Sequence, residues 1–491
     1  MTRHEHSILR VGFLLFPMLV GRAAPGQGYD NPLTVQGLDH VTLSSAASRA
    51  AGATIITAQN DVSLMFANPA SLQSLQAPQI SFGGMQQYDK TSQVQQFSPL
   101  KYYPNFSLLM EGLTGYIPNP DTGGANAGDT VQRPFDNIGP NWSRTKDRGT
   151  PIQAFVAVPF SVMEMRFTLG AGVIEYADLN HFYQNNNVLS PSILSLRPVP
   201  VPRPTDSMFV HWSQYYRSRQ GAIRGYGGAL SGSVTERISL GVSGMILKGS
   251  SDDAEQHVAR GLLTFYPNYF RIDSVYGRLS QAGTSDYTGQ EFTVSAVYRG
   301  PAISLGFSVK PPSTIKRTYS AQVRNDTTGS TSVTTVSGSD KIRLPWRGTV
   351  GGSISMLRNL TLALEYEVRS YASATYTAND GTTSDPWLSS SEVHVGAEFT
   401  PLGWLTLRAG MRGQSEVFEE TGNPLPGDPV TYTIYSAGFG IRYSGMRFNV
   451  AYEYGLMKYQ DIWEGEININ HSTRHSVIAD VSYDIPWSLQ E

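Results

Sequence analysis

The sequence predicts an all-β protein: a transmembrane antiparallel β-barrel of about fourteen strands with an N-terminal plug (hatch) inside its lumen. Three observations carry this. From residue 79 onward the apolar residues recur with period two. Very short turns alternate without a break with long polar segments. Before the first strand stands a stretch too apolar to dangle in water.

Composition sets the outer bounds. The chain has 491 residues and only 16% charged residues, below the roughly 25% usual for a soluble domain. Gly (48) and Tyr (26) are abundant and Cys is absent, which agrees with an oxidising destination. A formal net charge of −3 provides no field to draw in nucleic acid or an anionic membrane surface.

Residues 1–26 read as a secretory signal peptide. Arg3, His4, His6 and Arg10 form a basic n-region, "VGFLLFPMLV" is the apolar core, and small residues follow in "GRAAPG". Residues 27–78 form the expected plug. "VTLSSAASRAAGATIITA" and "VSLMF" are apolar yet make no pair of crossing strands. A barrel of this size is too wide for its own side chains to fill, so its interior has room for such a segment. Within it, "FANPASLQS" (66–74) is the most distinctive string. Pro69 fixes φ and gives up a donor, and Asn68 is expected to hydrogen-bond local backbone, so Asn68, Pro69 and Ala70 make a stiff turn.

Residues 79–487 form the expected barrel. In "SEVHVGAEF" Val393, Val395, Ala397 and Phe399 lie on one face and Glu392, His394, Gly396 and Glu398 on the other. "LTLALEYEVR" (360–369), "LTLRAGMR" (405–412) and "MRFNVAYEY" (446–454) repeat the pattern. Runs of nine or more residues suit a tilted bilayer crossing. On the polar face, Glu365, Glu367, Glu398 and Glu453 are expected to pair with Arg369, Arg408, Arg412 and Arg447 inside the lumen.

The connections fix the plan. Short turns fall at 160–165, 234–238, 298–302, 356–359, 400–404 and 443–446. Long polar segments lie between them, at 178–207, 249–287, 311–340, 371–389, 414–430 and 459–471. Short periplasmic turns and long extracellular loops, with both termini periplasmic, are the arrangement of an outer-membrane barrel in a Gram-negative bacterium. The proline-rich 191–207 reads as stiff, the Ser/Thr/Gly-rich 324–340 as mobile, and "NFSLLMEGLTGYI" (105–117) as a greasy outer rim.

With these residues in view, "SRAAG" (48–52) and "NDVSLMFANPASL" (60–72) resemble the hatch of the FadL/TodX-type outer-membrane transporter family. The likeness extends through "IRLPWRGTVGGSI" (342–354) and the late hairpins at 395–412 and 435–455. The resemblance implies uptake of hydrophobic compounds, long-chain fatty acids or aromatic hydrocarbons, through a plugged barrel with a lateral exit into the outer-membrane lipid. It also implies a kinked third strand. Gly170 and Gly172 in "MRFTLGAGVIEYA" are the lateral-exit candidates, since glycine weakens a strand. The implied partners are a hydrophobic small molecule, outer-membrane lipid and the barrel assembly machinery. The same "SRAAG…NPA" combination also looks like a sister branch, the barrel subunit of a type nine protein secretion system, which binds partner proteins and would bring in secretion-system proteins.

Chemistry is otherwise sparse. His471 and His475 are four apart where no helix joins them, "SDDAEQH" (251–257) reads as a solvated outer loop, and "GYGGALSG" (225–232) lies in a strand with no helix to cradle phosphate. No Ser/His/Asp set sits on a strand–turn–helix elbow. The expectation is a non-enzyme with no catalytic residue, no metal and no cofactor; the residues that touch ligand are not identifiable.

Overall fold

The computed structural model describes residues 37–38, 45–95, 119–120, 142–149, 153–163, 165–190, 208–265, 269–418, 429–463 and 466–486. Within them the chain forms a closed antiparallel barrel of 14 strands. In order they are β1 (Gln79–Gln95), β2 (Trp142–Gly149 and Gln153–Val162), β3 (Met165–Asp178 and His181–Ser190), β4 (Met208–Ser233) and β5 (Ile238–Phe265). There follow β6 (Tyr269–Arg299), β7 (Ile303–Lys310 and Ser313–Thr327), β8 (Ser330–Leu344 and Arg347–Leu357), β9 (Leu360–Arg369) and β10 (Ser390–Leu402). The last four are β11 (Leu405–Ser415), β12 (Thr431–Tyr443), β13 (Met446–Trp463) and β14 (Glu466–Asp484). Each strand pairs with the next, and β1 pairs with β14 from Gln79↔Asp484 to Gln95↔Asn468, leaving no open edge.

All six expected short turns join consecutive strands at one end of the barrel. The faces are also as the alternation predicts, with the usual sense of burial reversed. Val393, Val395, Leu364, Leu407, Met411, Phe439 and Phe448 point outward and are exposed, whereas Glu392, His394, Glu365, Arg412 and Glu453 are buried. Apolar outside and ionic inside is the pattern of a wall with lipid on its outer face. Tyr88, Tyr452 and Tyr454 gather around His475 on that outer face, with Tyr452 Oη 2.7 Å from its Nδ1.

Several expected loops are strands instead. Residues 249–265 and 269–287 belong to paired strands of 28 and 31 residues, β5 and β6. The stretch 324–340, expected to be mobile, is the tip of the β7–β8 hairpin, turning at Thr327↔Ser330. A crossing needs only about ten residues, so these ladders continue well past the apolar band. Pro311–Pro312 interrupts β7 and Pro345 interrupts β8, where the missing N–H groups suspend the ladder. "SDDAEQH" is likewise strand: Asp253 pairs with Arg219 at 2.6 Å, and Glu255 accepts from Tyr215. The expected signal peptide, the expected rim at 105–117 and the proline-rich 191–207 lie outside the described residues.

Candidate functional site

The site is built by the segment Ser45–Leu75 and the inward faces of the strands around it. A short helix, α1 (Ala46–Ala50), opens the segment. Ser45 Oγ caps it by accepting from Ser48 N at 3.1 Å, and Asp480 on β14 accepts from Ala46 N at 2.8 Å. Arg49 Nε donates to Glu453 Oε1 on β13 at 2.7 Å, and Arg412 on β11 bonds the same carboxylate.

The chain then turns at Gly52 and Ala53, both left-handed (φ +70 and +62). Gly52 is required: a Cβ there would stand 2.3 Å from Val395 O. Its N–H donates to Ser436 Oγ at 3.1 Å, and its carbonyl lies 2.9 Å from His394 Nδ1. Next, Glu365 on β9 accepts from the N–H of Ile55 and of Ile56, at 2.7 Å for the latter. A wall carboxylate thus binds two consecutive backbone donors.

The Asn-Pro-Ala turn follows, fully enclosed. Asn68 is fully buried, and Pro69 opens a 3₁₀ turn, Pro69–Ser74. Asn68 Nδ2 donates to the carbonyls of Ile55 at 3.0 Å and Ile56 at 2.9 Å. The expected local bond is therefore replaced by one reaching back twelve and thirteen residues, because Pro69 directs the amide into the interior of the segment. The flanks are fastened to the wall. Thr293 Oγ1 donates to Phe66 O at 3.0 Å, Ser308 Oγ to Ala67 O at 2.6 Å, and Ala70 N to Ser295 Oγ at 2.8 Å. Gly241 on β5 makes room: a Cβ there would fall 2.3 Å from Ala70 N.

Gly170 and Gly172 lie in β3 within unbroken pairing to β2 and β4. Both face inward, where Met65 covers Gly170 and the Phe155 ring covers Gly172. The irregularity of this strand falls later, as a register shift between Glu175 and Ala177 and a break before His181. There the alternation fails: Glu175 pairs with Arg148, and the next residue, Tyr176, reaches inward to donate to Glu291 Oε2 at 2.7 Å.

On the long-loop side of Ser45–Leu75 lies a cavity of about 270 Å³. It is lined by ionic groups, among them Arg49, Lys310 and Glu392, and by apolar ones, among them Phe418, Ile434 and Met457. Of the expected lumen pairs, Glu367–Arg369, Glu398–Arg408 and Glu453–Arg412 form. Arg447 pairs with Asp484 instead, and Glu365 serves backbone N–H groups rather than arginine. His471 and His475 lie on β14, where strand spacing sets them along one face and not around a common point. Arg49 and His394 were not singled out from sequence. The signal was present for Arg49, since a lone cation inside "AASRAAG" must find a buried anion.

These features define a transmembrane barrel with an N-terminal segment folded against the inside of its wall. No family model and no curated protein matches the chain by sequence. Solved structures do match in fold. A FadL homologue from Pseudomonas aeruginosa is 13% identical, with 91% of this chain and 99% of that one aligned at a TM-score of 0.56. The P. putida toluene transporter TodX is 13% identical over 91% and 100%, at 0.53. The CymD monoaromatic hydrocarbon channel is 11% identical over 91% and 100%, at 0.51. The chain shares the fold of these proteins.

Proposed function

We propose that the protein is an outer-membrane transporter of a Gram-negative bacterium that takes up hydrophobic small molecules, long-chain fatty acids or aromatic hydrocarbons, without making or breaking bonds. In this reading residues 1–26 are a signal peptide, 27–78 the hatch, and 79–487 the barrel delivered by the assembly machinery. An apolar solute gains nothing from a water-filled pore, so it needs a sealed lumen and a route sideways into lipid.

The observation that carries the reading is the docking of Ser45–Leu75 on wall groups from β6 (Thr293, Ser295) round to β14 (Asp480). Its bonds are mostly to single side chains and none forms a strand ladder, which suits a part that shifts. Asn68, Pro69 and Ala70 are the pivot. The lateral exit is proposed in β3, with Gly170 and Gly172 on its thin inner face. The register shift between Glu175 and Ala177 supports it, because it interrupts the ladder to β4 further along the same strand.

The test is uptake by cells whose own channel for the solute is deleted. Expression should restore uptake of labelled oleate or toluene. Failure to restore either, together with co-purification of secreted proteins, would favour the secretion-subunit reading instead.

A further inference from the structure

The inner face of β9 and β10 holds a cluster that the transport reading does not use. Glu367 stands directly opposite Glu392 in the ladder, and Glu365 opposite His394. Two like charges directly opposite are unfavourable unless a cation lies between them. Arg369 supplies part of the compensation: its Nε lies 2.7 Å from Glu367 Oε1, and its Nη2 bonds Glu392 Oε1. Lys310 also acts on Glu367 and Arg412 on Glu392, each while bonded to another carboxylate, and the Oε2 of each carboxylate lies outside the two contacts with Arg369.

His394 sharpens the case. It is 5% exposed, and its Nδ1 lies 2.9 Å from the carbonyl oxygen of Gly52. A carbonyl only accepts, so Nδ1 carries the proton. Nε2 faces Glu392 Oε2 at 3.4 Å, where a proton or a metal ion on that nitrogen would join the two groups. Two ligand atoms about 2.1 Å from a tetrahedral ion are about 3.4 Å apart. A ring whose other nitrogen donates to a backbone carbonyl is also the usual state of a metal-bound histidine. Ligand atoms of Glu367, Glu392 and His394 all lie within 4.8 Å of one another, and all three residues line the 270 Å³ cavity.

We propose that Glu367, Glu392 and His394 form a binding site for one divalent transition-metal ion of the Zn²⁺ class. One imidazole and two carboxylates suit such an ion, and the cavity leaves a fourth position for water. Arg369 orients the carboxylates from behind, and Gly52 of the hatch segment orients the histidine. Occupancy of the site is thereby tied to the position of that segment.

The test uses the full-length protein in detergent, stripped with chelator and titrated with Co²⁺, followed by its visible absorption and by Zn²⁺ competition. One equivalent should bind in the wild type. His394→Gln, which keeps an amide donor for Gly52, and Glu392→Gln should each bind at least about tenfold more weakly. His475→Gln, on the outer face, should bind as wild type. Heat-modifiable migration reports folding of each variant. Absence of stoichiometric binding in the wild type, or equal binding in a folded His394→Gln or Glu392→Gln protein, overturns the proposal.

Discussion

Arg49 in the inward segment and Glu453 on β13 form a buried ion pair, with Arg49 Nε 2.7 Å from Glu453 Oε1 and the carboxylate side chain 3% exposed. Arg412 shares that carboxylate. Glu453→Gln leaves two buried guanidinium groups facing a neutral amide, a change expected to cost about 3–5 kcal/mol. Arg49→Met should cost less, because Glu453 keeps Arg412. Unfolding midpoints in lipid vesicles check the order; equal stability of Glu453→Gln and wild type would show that the pair anchors nothing.

Much of the fold is written plainly in the sequence because lipid on one side and ions on the other force strict alternation. "SEVHVGAEF" and its counterparts therefore read correctly, as do the six tight turns. The extension of β5 and β6 was hidden for the same reason. Beyond the apolar band both faces of a strand meet water or protein, so 249–287 loses its apolar face and looks like loop. In the site, Asn68 was visible but its partners were not, since Ile55 and Ile56 come together with it only through the turn at Gly52. Glu365 and His394 show the same limit: their roles depend on which backbone groups of the Ser45–Leu75 segment face them.

Gly241 tests the docking of the Asn-Pro-Ala turn. A methyl group there meets the Pro69–Ala70 peptide at 2.3–2.4 Å, so backbone must move. Gly241→Ala should leave a heat-modifiable barrel with raised ion conductance in planar bilayers. Conductance identical to wild type would mean the turn does not seal the lumen there.

The outer ends of β4 and β5 should weaken in acid. His257 is the twentieth residue of β5, beyond the crossing, and bonds Ser213 at 2.8 Å. Burial lowers its pKa from 6.5 to about 4. The unfolded segment therefore takes up a proton before the folded one does, and this stabilisation is complete above pH 6.5 and lost as pH falls towards 4. Amide exchange in the outer ends of β4 and β5 should quicken over that window, and His257→Gln should flatten the dependence. An unchanged pH profile in the variant would assign the effect to other groups.

The most direct measurement of the gating account is uptake by Asn68→Ala and Pro69→Ala proteins at matched surface level. Asn68→Ala removes two buried bonds to Ile55 and Ile56, each worth on the order of 1 kcal/mol. One to two kcal/mol shifts a two-state equilibrium roughly 5- to 30-fold, enough to disturb a gate and too little to unfold the barrel. The account predicts normal heat-modifiable migration with slowed uptake of a long-chain fatty acid or aromatic hydrocarbon. Unchanged uptake in both variants, or loss of the barrel itself, would contradict it.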